Sequence, residues 1–295
     1  MPDATERSFV TRSGLVIRGE AWGDPTAPPV LLVHGGGQTR MSWGRTAAEL
    51  AERGWYAIAY DQRGHGGSDR SPDASYDVGR FAEDLADVIA GCDRPPVVVG
   101  ASLGGLAGLL VGGEIDAPPM AALVLVDITP RQETAGVARI VDFMLDRAVE
   151  GYSSLDEAAE AIAAYQPHRA RPTDHAGLRK NLRLDPDGRW RWHWDPELFN
   201  QGSGLRSASV HGRFTAAASQ LRLPVLLVRG RLSDLVSPET AQEFLDAVPH
   251  ARFVDVSDAG HMVAGDRNDR FTDAVADFLG TLLDAPGTSV PRTPT

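Results

Sequence analysis

Short apolar runs alternate along this chain with longer segments whose apolar positions recur at helical spacing. The runs lie near Phe9–Thr11, Leu15–Ala21, Val30–Val33, Tyr56–Tyr60, Val97–Val99, Ala122–Val126, Val225–Val228 and Arg252–Val256. The first two flank the turn "RSG" and read as an antiparallel hairpin. The others are Val, Leu, Ile and Ala runs with little alternation, as strands covered on both faces require. Between them, "VGRFAEDLADVIAGC" sets Phe81, Leu85, Val88 and Ile89 on one helical stripe. "MSWGRTAAELAERG" ends at Gly54, a suitable residue just past a helix. "SPETAQEFLDAV" opens with a serine cap and a proline at the first helical position, and "DRFTDAVADFLGTLL" closes the pattern. Such alternation predicts an α/β fold of βαβ units around a mostly parallel, eight-stranded sheet flanked by helices.

The rhythm breaks between residues 130 and 212. Here "GVARIVDFMLDRAVEG" and "SLDEAAEAIAAYQ" read as helices with no strand between them, followed by "DGRWRWHWDPELF". The segment is too long for a strand-to-helix crossover. It reads as a helical cap inserted after the sixth strand, over the C-terminal edge of the sheet, with residues 1–129 and 213–285 forming the core. Trp190, Trp192 and Trp194 stand at period two, so an extended segment would point all three one way. With Met144 and Met262 they are candidate substrate-binding residues, although pinning of the cap to the core would also account for large aromatics. Residues 286–295 are rich in Pro and Thr and read as a disordered tail.

"VVVGASLGG" supplies the first candidate chemistry. Gly100, Ser102 and Gly104 fit G-x-S-x-G, a pattern that chance also produces. Its position between a buried strand and a helix sharpens the reading: a tight elbow would strain the serine backbone and lift Oγ above the sheet edge. A plain serine helix cap is the alternative. A nucleophilic serine needs a base and an orienting acid. His261 in "SDAGHMVAGD" follows the last strand, where its loop reaches the same edge. His34 and His65, in "HGGG" and "RGHGGS", suit loop organisation, while His168, His175, His193, His211 and His250 suit packing or surface roles. For the acid, Asp127 follows the sixth strand and Asp234 the seventh, and either could reach an imidazole above Ser102. "VLLVHGGGQ" ends a strand in three glycines, so the Gly36 N–H and the Leu103 N–H at the helix start are candidate oxyanion donors.

Charge and composition narrow the partners. The 295 residues carry a net charge of -11, and without clustered Lys and Arg a nucleic-acid partner is not expected. The single cysteine, Cys92, excludes an intramolecular disulfide and suits a small residue at a helix end better than a nucleophile. No secretory apolar core and no run of about 18 apolar residues is visible. The expectation is a cytoplasmic protein, monomer or homodimer, acting on a small molecule without a metal or other cofactor.

Taken in order, "HGGG", "DQRGHGGS", "GASLGG", "GRLSD" and "GHMV" resemble the motifs of the α/β-hydrolase superfamily, in its cap-bearing serine hydrolase branch. The resemblance implies a hydrolase acting on a carboxylic ester or lactone, with Ser102, Asp234 and His261 as the triad; Asp234 is preferred to Asp127 as the acid. It implies loop-structuring roles for Asp61 and Arg63. Epoxide hydrolases and haloalkane dehalogenases of this branch carry aspartate at the elbow, so Ser102 argues against their chemistry. Gly37 stands where the branch commonly has proline. C–C bond hydrolysis and perhydrolysis would use the same triad, and a ligand-binding protein on this scaffold is the non-enzymatic alternative.

Overall fold

The computed structural model describes residues 4–114, 119–166, 175, 177–200 and 208–283. The predicted tail at 286–295 lies outside them. The strands are β1 (Thr5–Val10), β2 (Val16–Trp22), β3 (Pro29–Val33), β4 (Tyr56–Tyr60), β5 (Val97–Ala101), β6 (Ala122–Val126), β9 (Val225–Gly230) and β10 (Arg252–Val256), with β7 (Leu182–Leu184) and β8 (Trp190–Trp192) between β6 and β9. Eight of them form one sheet in the order β1-β2-β4-β3-β5-β6-β9-β10. β1 and β2 are an antiparallel hairpin, and β2 meets β4 antiparallel. Every other pair in this sheet is parallel.

The lack of apolar–polar alternation has a direct structural cause. Successive side chains of a strand point to opposite faces, and both faces are buried. Leu31, Val33, Val98, Leu123 and Leu125 feed one core cluster, while Val30, Leu32, Val97, Val99 and Val124 feed the other. The first cluster lies under α2 (Val78–Ala90), α3 (Leu103–Glu114), α7 (Ala208–Gln220) and α8 (Pro238–Ala247). The second lies under α1 (Gly44–Glu52) and α10 (Asn268–Leu283). The start of α8 is as expected: Ser237 Oγ accepts the Thr240 N–H at 3.2 Å, and Pro238 opens the helix.

Between β6 and β9 lie α4 (Thr134–Leu145), α5 (Leu155–Tyr165), the β7–β8 ribbon and α6 (Glu197–Asn200). The ribbon adds strands to the expected helical insertion. Leu182 pairs with Trp192 and Leu184 with Trp190, antiparallel. The turn is made by "DPDG", with Gly188 at φ +80° and its N–H bonded to Asp185 O at 2.9 Å. Strands of three residues carry little periodicity, but a turn sequence flanked by alternating Leu and Trp was the available signal.

Beyond Trp192 the chain docks on the core. His193 O accepts the Gly66 N–H at 2.9 Å, and Asp195 N–H reaches Gly64 O at 2.7 Å. Tyr76 Oη donates to Asp195 Oδ2 at 2.7 Å. The insertion is therefore bonded to the loop of "RGHGGS", which also supports the site below. Arg63 and Asp84 form a buried pair at 2.6 Å that ties this loop to α2. Asp61 accepts from the Arg40 N–H at 2.7 Å and the Gly67 N–H at 2.9 Å.

Candidate active site

Two residues at the C-terminal ends of adjacent strands adopt left-handed backbone conformations. Ser102 follows β5 with φ 47°, and Asp127 follows β6 with φ 49°. Non-glycine residues seldom take positive φ, and such strain gathers at functional positions. At Ser102 the neighbouring glycines make the turn possible. A Cβ on Gly100 would stand 2.5 Å from Gly104 O, and one on Gly104 would stand 2.6 Å from Val33 O. The elbow expected from "GASLGG" is thus closed by backbone packed directly on backbone.

His261 lies in the loop between β10 and α9 (Val263–Asp266). Its Nδ1 is 2.7 Å from Asp127 Oδ2, with the carboxylate wholly buried and the imidazole 18% exposed. Asp127 is acceptor only, so the bond assigns the proton to Nδ1 and leaves the Nε2 lone pair for other work. Ser102 and His261 line the same cavity. Among the described residues no hydrogen bond joins Ser102 Oγ to the imidazole; such bonds commonly tighten only when substrate is bound.

The acid expected at Asp234 is corrected by this geometry. Asp234 Oδ2 instead meets Arg139 on α4 at 2.8 Å, in a half-exposed ion pair. The physical reason lies in the positive φ of Asp127. It turns the carboxylate back under the loop after β9, where Gly230 N–H reaches Oδ1 at 2.9 Å. The preceding residue of "GRLSD", Ser233, faces that carboxylate, with Oγ 2.5 Å from Oδ2. Neighbours in a loop point different ways, so Asp234 faces the insertion.

The "HGGG" loop is held by two buried histidines. His34 Nδ1 donates to Gly35 O at 2.8 Å, and its Nε2 accepts the Gln62 N–H at 3.0 Å. His65 Nδ1 donates to Arg63 O at 2.9 Å, and its Nε2 accepts the Gly37 N–H at 3.0 Å. Burial and the neighbouring His34 push His65 down to about 3. Burial also lowers His34, so both rings stay neutral and keep these roles. Gly37 has φ +78°, and proline could supply neither that angle nor the N–H donor. Gln38 Oε1 caps the Gly35 N–H at 2.9 Å, while its amide nitrogen reaches Met262 Sδ at 3.2 Å. The amides of Gly36 and Leu103 make no hydrogen bond among the described residues, and both residues line the cavity beside Ser102.

This arrangement places a hydroxyl, an imidazole bonded to a carboxylate and two amides without a hydrogen bond among the described residues around one cavity. The sequence profile described as "Alpha/beta hydrolase family" matches residues 30–274. The chain belongs to the alpha/beta hydrolase family. Among its relatives, Esterase Rv0045c of Mycobacterium tuberculosis is 30% identical over 268 residues, covering 88% of this chain and 85% of that protein. The 3-hydroxybutyrate-oligomer hydrolase of Cupriavidus necator is 28% identical over 251 residues, covering 81% and 85%. The crystal structure of E-2-(acetamidomethylene)succinate hydrolase superposes with a TM-score of 0.80 at 24% identity, covering 94% of this chain and all of that one, a likeness of fold.

The cavity of this α/β-hydrolase is about 540 Å³, large enough for a ligand of drug size. The core supplies Trp43, Phe81 and Leu106 to its lining, and the insertion supplies Phe143, Met144, Tyr165 and Trp192. Phe143 and Tyr165 stack with centroids 4.1 Å apart, and Trp192 meets Phe143 edge-on at 5.9 Å. Of the candidate substrate-binding residues, Met144, Met262 and Trp192 line the cavity; Trp190 and Trp194 do not. Trp190 is half-buried under the Arg179 guanidinium, 4.8 Å from its ring centre. Trp194 is buried beside Gly37. Trp194 parts from the other two because the chain leaves the strand after Trp192. Cys92 is half-buried beyond α2, and burial pushes its thiol up to about 11, which fits a structural residue. Among the described residues, no helix is long and apolar enough to cross a membrane.

Proposed function

We propose that this protein is a serine hydrolase of carboxylic esters, with Ser102 as nucleophile, His261 as general base and Asp127 as the orienting acid. The observation that carries the reading is the His261–Asp127 hydrogen bond of 2.7 Å on the cavity that Ser102 also lines. Ser102 Oγ attacks the ester carbonyl carbon as its proton passes to His261 Nε2. The carbonyl oxygen becomes an oxyanion held by the Gly36 and Leu103 amides, with the start of α3 adding favourable potential. Collapse breaks the bond to the alcohol, which leaves with the proton from the imidazolium. Water then attacks the acyl-serine by the same route, and the carboxylic acid departs.

The cavity favours an ester with a bulky apolar, ring-bearing group. Its described lining contains no arginine, aspartate or glutamate, and Lys180 at an exposed position is its one ordinary cation. A dicarboxylate would bring two charges to at most one counter-charge, which desolvation penalises. This argues for a neutral or singly charged ester and against the kind of substrate named for the succinate hydrolase.

Covalent labelling by a fluorophosphonate tests the reading without knowing the substrate. The expected result is one adduct, located to Ser102 by peptide mass mapping, with hydrolysis of p-nitrophenyl esters abolished in Ser102→Ala. Labelling elsewhere, or full turnover by Ser102→Ala, would overturn it. Tight retention of an apolar ligand with no labelling would favour a binding protein.

A further inference from the structure

The loop that carries the expected acid donates a hydroxyl to the acid that His261 meets. Ser233 Oγ lies 2.5 Å from Asp127 Oδ2, the same oxygen that accepts from His261. Two backbone amides point at that hydroxyl: Leu235 N–H at 3.1 Å and Val236 N–H at 3.2 Å. A serine hydroxyl has two lone pairs and one proton. With both lone pairs engaged, the proton has one direction left, toward the carboxylate. The turn after β9 thus fixes the rotor and aims its dipole at Asp127.

We propose that Ser233 is a positioning residue for the triad, acting through Asp127 and resting on the ester-hydrolase reading above. Together with Gly230 N–H on Oδ1 and His261 Nδ1–H on Oδ2, it completes three donors around a wholly buried carboxylate. Such a carboxylate is held in one orientation. That matters here because Asp127 leaves its strand in a left-handed conformation and has no other side-chain hydrogen-bond partner among the described residues. Ser233 also tempers the pairing. Its O–H dipole points a partial positive charge at the oxygen that meets the imidazole, so it weakens the pull of that oxygen on the ring.

Ser233→Ala is expected to lower kcat about tenfold with KM little changed, as loss of a hydrogen bond to a charged group implies. It is also expected to move the acidic limb of the kcat/KM profile upward, because the unshielded carboxylate attracts positive charge on the ring more strongly. Ser233→Thr, which keeps the hydroxyl, is expected to restore both. In an Asp127→Asn background the Ser233→Ala change should add little further loss, since the path of its action is gone. A wild-type rate and acidic limb in Ser233→Ala would overturn the proposal. So would an equal loss with and without Asp127, which would mark a purely structural turn residue. Failure of the underlying reading looks different: the wild-type protein itself would neither label at Ser102 nor hydrolyse esters.

Discussion

His261 is hydrogen-bonded to the carboxylate that leaves β6, with Nδ1 2.7 Å from Asp127 Oδ2, and Asp234 of the "GRLSD" loop is committed elsewhere. Two strained residues, Ser102 and Asp127, stand at the ends of neighbouring parallel strands. The imidazole arrives from the far edge of the sheet to meet the second of them. Asp234 joins the core to the insertion through Arg139, whose guanidinium also bonds Tyr165 O and lies 5.0 Å from the centre of the Tyr165 ring. The carboxylate that meets His261 and the one that clasps the insertion thus belong to two different aspartates.

This division makes a sharp contrast between two conservative changes. Asp127→Asn would favour the wrong imidazole tautomer, and losses of about 10⁴ in kcat accompany such a change in comparable triads. Asp234→Asn removes a half-exposed ion pair worth about 0–1 kcal/mol, so kcat should stay within about threefold of wild type. Steady-state hydrolysis of a p-nitrophenyl ester by both variants checks this; the reverse ranking would return the acid to Asp234.

Gly37 offers a second test, on the donor loop. Its φ of +78° costs an alanine about 1–2 kcal/mol, and a Cβ there would meet the Met144 methyl at 2.0 Å. The methyl ends a flexible side chain and can swing aside; the backbone angle cannot be relieved that way. Gly37→Ala should therefore lower kcat about tenfold, and adding Met144→Ala should not restore it. Gly37→Pro should be worse, because it also loses the N–H that His65 accepts. Circular dichroism melting of each variant separates a displaced loop from a lost fold, and wild-type kcat in Gly37→Pro would refute the role of this loop.

The fold was legible because parallel strands buried on both faces write themselves as unbroken apolar runs, as Val30–Val33 and Val97–Val99 do. Ser102 and His261 were expected at the sheet edge as residues following such runs, and they line one cavity with Gly36 and Leu103. The carboxylate that meets His261 was not legible, because Asp127 and Asp234 both follow buried strands; only the structure shows the imidazole bonded to Asp127 and Asp234 paired with Arg139. Ser233 was missed for a related reason: a serine in a turn carries no mark of what its hydroxyl faces. The cap was least legible. Its alternating tryptophans promise one shared face, yet only Trp192 reaches the cavity.

The two buried histidines predict an acid-sensitive fold. His65 falls to about 3 and His34 is lowered as well, against an unfolded value of about 6.5. The unfolded chain then binds protons that the folded chain refuses. The stability tied to these rings is fully present above about pH 6.5 and is lost as pH falls toward 3. Urea midpoints measured from pH 8 to pH 4 should drop through this window. His65→Gln, which keeps an acceptor for Gly37 N–H, should be less stable at pH 8 but show a flatter decline. An unchanged slope would show that other groups govern acid unfolding.

The stacked pair of Phe143 and Tyr165 should set the size preference of the site. Both rings line the cavity at a centroid separation of 4.1 Å, and Trp192 braces Phe143 edge-on. Phe143→Ala removes most of that wall and leaves space that a short acyl group cannot fill. A ligand ring that loses such a partner forfeits about 0.5–1.5 kcal/mol of aromatic contact beyond its area term. For p-nitrophenyl benzoate, kcat/KM should therefore fall about tenfold, chiefly through KM, because the triad and the donor loop are untouched. p-Nitrophenyl acetate, too small to span the cavity, should change by less than about threefold. Longer straight-chain esters should be cleaved relatively better as the vacated volume admits them. Equal losses on acetate and benzoate would instead place Phe143 in the packing that holds the insertion, with no part in selecting the substrate.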